Sequence, residues 1–300
     1  MANECLTVNW STSEQRSISD SVWRRRWIKF RRHAMSLAGM AILALLVLLA
    51  LLAPFFTSDP NKVELSEAIR LKPPSANHWF GTDHLGRDVL ARSLYGARIS
   101  LLVGFLSTGM SIVTGTLLGS VAGFYGGPID SILTRLIDVV LSLPLLFLLI
   151  ILQSLLTQPS LLNVILVLSF TSWMGTARIV RAQVLKEREM DYVMAAHSIG
   201  ASTSRIITRH LLPNVIGSVI VIATLQVGRL IILEAALSYL GFGVPRPHAS
   251  WGSMLAEARG YLNTGPWMAL FPGFLLSLTV LSFNFVGDGL TSAINPHENS

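Results

Sequence analysis

Long apolar runs free of charge dominate the chain, and their lengths set the first expectation. Crossing the hydrocarbon core of a bilayer takes about 20 apolar helical residues, and five stretches reach that length, one of them double. The first, 34–58, contains MSLAGMAILALLVLLALLAPFF and follows a polar, basic segment. It exceeds the roughly 7–15 apolar residues of a cleaved signal peptide, so it predicts a retained first span. In the second, 99–129, Gly115, Gly119 and Gly123 recur every four residues. They share one helix face and predict close approach of another helix. The third, 139–177, is too long for one helix and is interrupted by the turn signal Thr157-Gln158-Pro159-Ser160, which predicts spans over 137–157 and 160–180. Spans over 214–236 and 266–288 complete six helices, with both termini on one side.

Composition agrees with this pattern. Of 300 residues, 51% are apolar and 13% charged, with a mean hydropathy of +0.56, which describes an integral membrane protein. The single cysteine, Cys5, excludes an intrachain disulfide and any zinc site built on several thiolates. A net charge of +6 raises nucleic acid as a partner, but much of it clusters beside apolar runs, where it orients spans and meets anionic lipid instead. With the N-terminus inside, inner segments hold 14 Lys and Arg, seven of them in the N-terminal tail, and outer segments hold eight. This predicts N-in, C-in topology. The expected layout is a cytoplasmic basic tail over 1–33, the first span over 34–58 and an extracytoplasmic loop over 59–98. A core with five spans then covers 99–290, and a cytoplasmic tail covers 291–300.

Nothing in the sequence resembles a P-loop, a zinc-protease helix, a nucleophile elbow or a C-x-x-C pair, so neither catalysis nor a resident cofactor is expected. His78 and His84 could ligate a metal, but their spacing has no preferred ligand geometry, and they read as solvated loop residues; no metal is expected. The segment 186–213 is too polar to cross and too patterned for a tether. Val193, Ala196 and Gly200 predict a small-residue face on a short helix. Gly200 permits a reversal, Ser202 can cap a second helix, and Ile206, Ile207, Leu211 and Leu212 give that helix an apolar side. Such a hairpin suits either a cleft on another protein or the membrane surface.

Met194-Ala195-Ala196-x-x-x-Gly200 followed by Leu212-Pro213 resembles the EAA loop of ABC importer permeases, with Met194 in place of the glutamate and His210 in place of an isoleucine. The segments Phe80-Gly81-Thr82-Asp83-His84-Leu85-Gly86-Arg87-Asp88, Leu233-Glu234-Ala235-Ala236-Leu237-Ser238-Tyr239-Leu240-Gly241-Phe242-Gly243, Ser250-Trp251-Gly252 and Asn284-Phe285-Val286-Gly287-Asp288-Gly289-Leu290 resemble permeases of the dipeptide, oligopeptide and nickel type. The resemblance runs from about residue 20 to 296. It implies an all-α, six-span type I importer permease that forms half of a pore and imports peptides or related small solutes. It further implies a second homologous permease, two ATPase subunits that carry ATP-Mg, and an extracytoplasmic solute-binding protein. Met194, Ala195, Ala196, Gly200, Leu212 and Pro213 would then form the coupling loop to the ATPase. An ion-gradient-driven secondary transporter is the alternative, though no half-length repeat supports it.

A charge facing lipid is costly, so Arg229 and Glu234 in the fifth span are expected to face protein or water, either a translocation path or a partner helix. Asp83 with Arg87, and Asp88 with Arg92, are spaced i, i+4, which predicts a short outer helix laced with exposed ion pairs. Asp138 beside Arg135 reads as an interfacial pair.

Overall fold

The structure, a computed structural model, describes residues 27–294 apart from 32, 58, 65, 67 and 157. The tail residues Arg16, Arg24, Arg25, Arg26 and Arg32, and 295–300 of the C-terminal tail, lie outside the described residues. Among those described there is no strand, only an isolated bridge between Thr82 and Asp88. Among the described residues, nine helices of eight residues or more carry the fold: α1 (Ala34–Phe56), α2 (Val89–Tyr125), α3 (Gly127–Leu141), α4 (Leu145–Ser154), α5 (Leu161–Arg188), α6 (Asp191–Ser198), α7 (Thr203–Tyr239), α8 (Trp251–Ala258) and α9 (Trp267–Ile294). Five of them are long and apolar enough to cross a membrane, and there are six crossings if α3 and α4 count as one.

The departures from the sequence expectations have local causes. The second span begins ten residues early, because Asp88 caps it by accepting a hydrogen bond from the Ala91 N–H at 2.9 Å. The third span is broken by an 89° bend between α3 and α4. Pro144 lies at the break, where it supplies no N–H and disfavours helical backbone in the residue before it. The fifth span is continuous with the second limb of the hairpin, through a wide π turn at Ile207–Leu211 that directly precedes Leu212-Pro213. Proline lacks an N–H and its ring crowds the carbonyl four residues back, and the wide turn absorbs both defects.

Helix α2 is the spine. Its most extensive partner is α5, which runs parallel to it along the predicted glycine face. A Cβ on Gly115 would meet Thr176 Cβ at 2.6 Å, and one on Gly119 would meet the Ala177 carbonyl at 2.5 Å. Helix α7 packs antiparallel to α2, with Gly104 against Val227 and Ile231. Helix α1 lies against α9, held by the Ser36 hydroxyl donating to the Phe285 carbonyl at 2.8 Å. Ile294 packs on Gly217, so the described chain starts and ends at the same end of the bundle as the 186–213 hairpin.

Candidate functional site

Three assemblies stand out. Two of them close opposite ends of α2, whose 37 residues span about 55 Å.

At one end, the hairpin has the two helices and the reversal that the sequence suggests, but Ser202 forms no side-chain cap on the second helix. Helix α6 stops where Gly200 takes φ +78°, a left-handed conformation that favours glycine, and Ser202 precedes the next helix. The small face points the other way from the expectation, however. Val193 and Ala196 are buried in the chain's own core with Val180 and Val184 of α5 and Ile206, Leu211 and Val215 of α7. The hairpin is thereby fixed to two spans. Tyr192 adds a polar bridge: its hydroxyl donates to Glu187 Oε2 at 2.6 Å and accepts from Asn214 Nδ2 at 2.8 Å. Burial, then the Glu187 bond, raises its pKa above the ordinary tyrosine range. The surface that remains is formed by Met194, 53% exposed, Ala195, Ile199, 85% exposed, and Gly200. A hollow of about 610 Å³ lies there, lined by Ala195, Ala196, Gly200, Arg205, Arg209 and His210, while Leu212 is half-buried and Pro213 exposed behind it.

At the other end, 81–88 is a tight loop rather than the expected helix. Gly86 takes φ +74°, and any Cβ there would lie 2.1 Å from the Glu64 carbonyl. Asp83, 3% exposed, accepts from the Leu85 N–H at 2.8 Å, the Arg87 N–H at 2.9 Å and Arg87 Nε at 2.6 Å. Arg92, also 3% exposed, does not pair with Asp88. It and Arg87 converge on Glu257 Oε2 of α8, at 2.9 and 2.6 Å, while Asp88 caps α2 and accepts from His78 at 2.8 Å. The pairs are therefore interior clamps between the loop, α2 and α8. Glu257, some 165 residues from Arg92 in sequence, carried no signal of this role. Asp83, His84 and Glu257 bring possible metal donors within 4.8 Å of one another, but two guanidinium groups already engage the carboxylates and disfavour a further cation. His84 stacks on Tyr261, and burial lowers its pKa below the ordinary value of 6.5.

Between these ends, Glu234 is 0% exposed and sits inside the chain, not on a water-lined surface. The Ser100 hydroxyl of α2 donates to it at 3.1 Å and the Ser238 hydroxyl at 2.6 Å. Ser238 in turn accepts from the Val244 N–H at 3.1 Å and lies 3.4 Å from Ser250, whose capping box starts α8. The Trp251 indole N–H donates to the Ser93 carbonyl at 3.1 Å, and Gly252 lets α8 touch Ala235, where a Cβ would come within 2.4 Å. The separate Glu-Ala-Ala-Leu-Ser and Ser-Trp-Gly motifs are thus two halves of one joint. Arg229, by contrast, is exposed on α7. A second polar bridge that sequence reasoning missed links Gln226 to Ser111 at 2.6 Å and to Thr176 at 3.0 Å, across α2, α5 and α7. Asp138 pairs with Arg178 of α5 at 2.6 Å rather than with Arg135, and Asp130 pairs with Arg181, so α3 is braced to α5.

Residues 115–299 match the family model described as "Binding-protein-dependent transport system inner membrane component", and 21–74 match "N-terminal TM domain of oligopeptide transport permease C". The chain is 41% identical over 277 residues to the oligopeptide transport system permease protein OppC of Bacillus subtilis, covering 92% of this chain and 90% of that protein. It is 44% identical over 281 residues to the dipeptide transport system permease protein DppC of the same organism, covering 93% and 86%. Its fold is similar to a chain solved in inward-facing conformations of the MetNI methionine ABC transporter, with a TM-score of 0.56 at 21% identity over 67% of this chain and 94% of that one.

Proposed function

Since this chain belongs to the family of binding-protein-dependent transport system inner membrane components, and is a multi-pass inner-membrane permease subunit of an ABC importer, we propose that its cargo is a peptide or a related small solute. It forms half of the pore beside a second, homologous permease. Two separate ATPase subunits bind ATP-Mg, and an extracytoplasmic binding protein delivers the cargo. The ATPases dock on the hairpin 186–213. One observation carries this assignment: the hairpin's apolar side is consumed by α5 and α7, which leaves Met194, Ala195, Ile199 and Gly200 projecting around a basic hollow. A hairpin lying on the membrane would need that apolar side for lipid.

The excess of Lys and Arg supports a cytoplasmic hairpin end, with N-in, C-in topology, 59–98 outside and 291–300 inside. The Asp83–Arg87–Glu257–Arg92 clamp then braces the outer end, and Asp88 caps α2 there. Because Val193 and Ala196 tie the hairpin to two spans, a displacement of α6 by an ATPase moves α5 and α7 with it. Arg229 faces the translocation path or the second permease.

Affinity purification of the tagged chain from cells that express its neighbours tests this. Recovery of ATPases and a second multispanning protein, abolished by Ile199→Asp while the second permease is retained, is the expected result. Retention of the ATPases by that variant would remove the docking assignment.

A further inference from the structure

A crevice of about 940 Å³ opens between α1, the start of α2 and the 59–98 loop, at the end of the bundle opposite the hairpin. Its walls are apolar: Leu46 and Leu49 of α1, Leu90 and Leu94 of α2, and Leu275 of α9. Its rim carries Lys62, Glu64, Asn77, His78 and Asp88. We propose that this crevice binds one phospholipid of the adjacent leaflet, selected for a zwitterionic headgroup with a primary amine.

Depth, charge and surroundings support a lipid. From Leu46 to Phe56, both on the crevice wall, α1 rises about 15 Å, half of the roughly 30 Å hydrocarbon core and hence the reach of one leaflet's acyl chains. Water gains nothing from the leucine walls, and an unfilled crevice would forfeit their dispersion contacts, so an acyl chain is the fitting occupant. Lys62 Nζ lies 2.6 Å from Glu64 Oε1, and His78 Nδ1 lies 2.8 Å from Asp88 Oδ2. The Lys62 ammonium has three donors and spends one on Glu64, leaving two for a phosphate. Glu64 keeps Oε2 to accept from a headgroup ammonium. Two carboxylates on the rim oppose a purely anionic headgroup, and a quaternary amine has no N–H to donate. Trp79, 71% exposed on the rim, is the residue type that settles at the membrane interface.

The probes are phosphatidylethanolamine, phosphatidylcholine and phosphatidylglycerol, added to the delipidated complex of this chain with its partner subunits and read by native mass spectrometry. One phosphatidylethanolamine is retained about tenfold more strongly than either other lipid, the scale of a single charge-assisted hydrogen bond. Leu49→Trp, which fills the crevice, and the pair Lys62→Ala with Glu64→Ala both remove that preference without changing the complex's elution. A phosphatidylethanolamine with a mid-chain diazirine, used on the unaltered complex, labels 46–56 and 90–94 of this chain. Equal retention of the three lipids overturns the proposal. So does unchanged selectivity in the folded variants, or label spread evenly over the spans; should a variant fail to assemble, the labelling pattern decides.

Discussion

Replacing Glu234 separates a structural joint from a water-lined path. In Glu234→Ala, the Ser100 and Ser238 hydroxyls lose their shared acceptor, and the void left in a fully buried site is not refilled. Hydrogen bonds between membrane helices contribute about 0.6 kcal/mol on average and up to about 1.7. Truncating a buried side chain of this size costs about 2–5 kcal/mol. The joint should therefore lose about 3–5 kcal/mol, which at about 2–3 °C per kcal/mol for a chain of this size lowers the melting temperature by about 6–15 °C. Glu234→Gln keeps the volume and one acceptor oxygen, and its amide N–H can donate to a serine oxygen. It should lose at most one bond, about 0.6–1.7 kcal/mol or a few degrees. The assay is thermal unfolding of the purified complex, paired with maleimide labelling of Ala249→Cys in a Cys5→Ser background. Ala249 is buried beside Ser250, so labelling should accelerate in Glu234→Ala and stay slow in Glu234→Gln. If the glutamine variant is as damaging as the alanine variant, the charge matters rather than the hydrogen bonds, and the joint reading is wrong.

Gly119→Ala should cost about 1–3 kcal/mol by forcing α2 off the Ala177 carbonyl, whereas Gly109→Ala, with open space around it, should be neutral; detergent-phase size exclusion distinguishes the two. Burial lowers the His84 pKa in the folded chain, so the unfolded state takes up the proton first as the medium acidifies. Stability is then fully present above pH 6.5 and declines below it, and His84→Gln should flatten the dependence of melting temperature on pH between 5 and 7. Arg181→Ala leaves Asp130 unpaired, but both are partly exposed, so the loss should be about 1 kcal/mol or less, and a double-mutant cycle with Asp130→Asn should show a coupling of that order.

Much of the fold was readable in the chain because the constraint is one-dimensional: apolar length, glycine spacing and the break before Leu161 each act locally. The 89° bend was not, although Pro144 was visible, because a proline marks a break without fixing its angle. The clamp around Asp83 was misread for a related reason. The i, i+4 spacing of Asp83 and Arg87 fits a helix, yet the true organiser is Glu257, brought from α8 by tertiary packing. The hairpin's turn at Gly200 and its second helix were apparent, but the direction of its small face was not. Val193 and Ala196 suit a foreign cleft and the chain's own core equally well, and only the neighbouring α5 and α7 decide between them. For Glu234 the sequence left protein and water both open, and its burial is decided by Ser100, which α2 brings to it from 134 residues away.

Uptake into proteoliposomes, with this chain reconstituted beside its second permease and ATPases and the binding protein supplied outside, is the experiment that decides the assignment. Labelled peptide should accumulate only with ATP inside and binding protein outside, and Ile199→Asp should abolish accumulation. Accumulation driven by a proton or sodium gradient without ATP would contradict it and make the chain a secondary transporter.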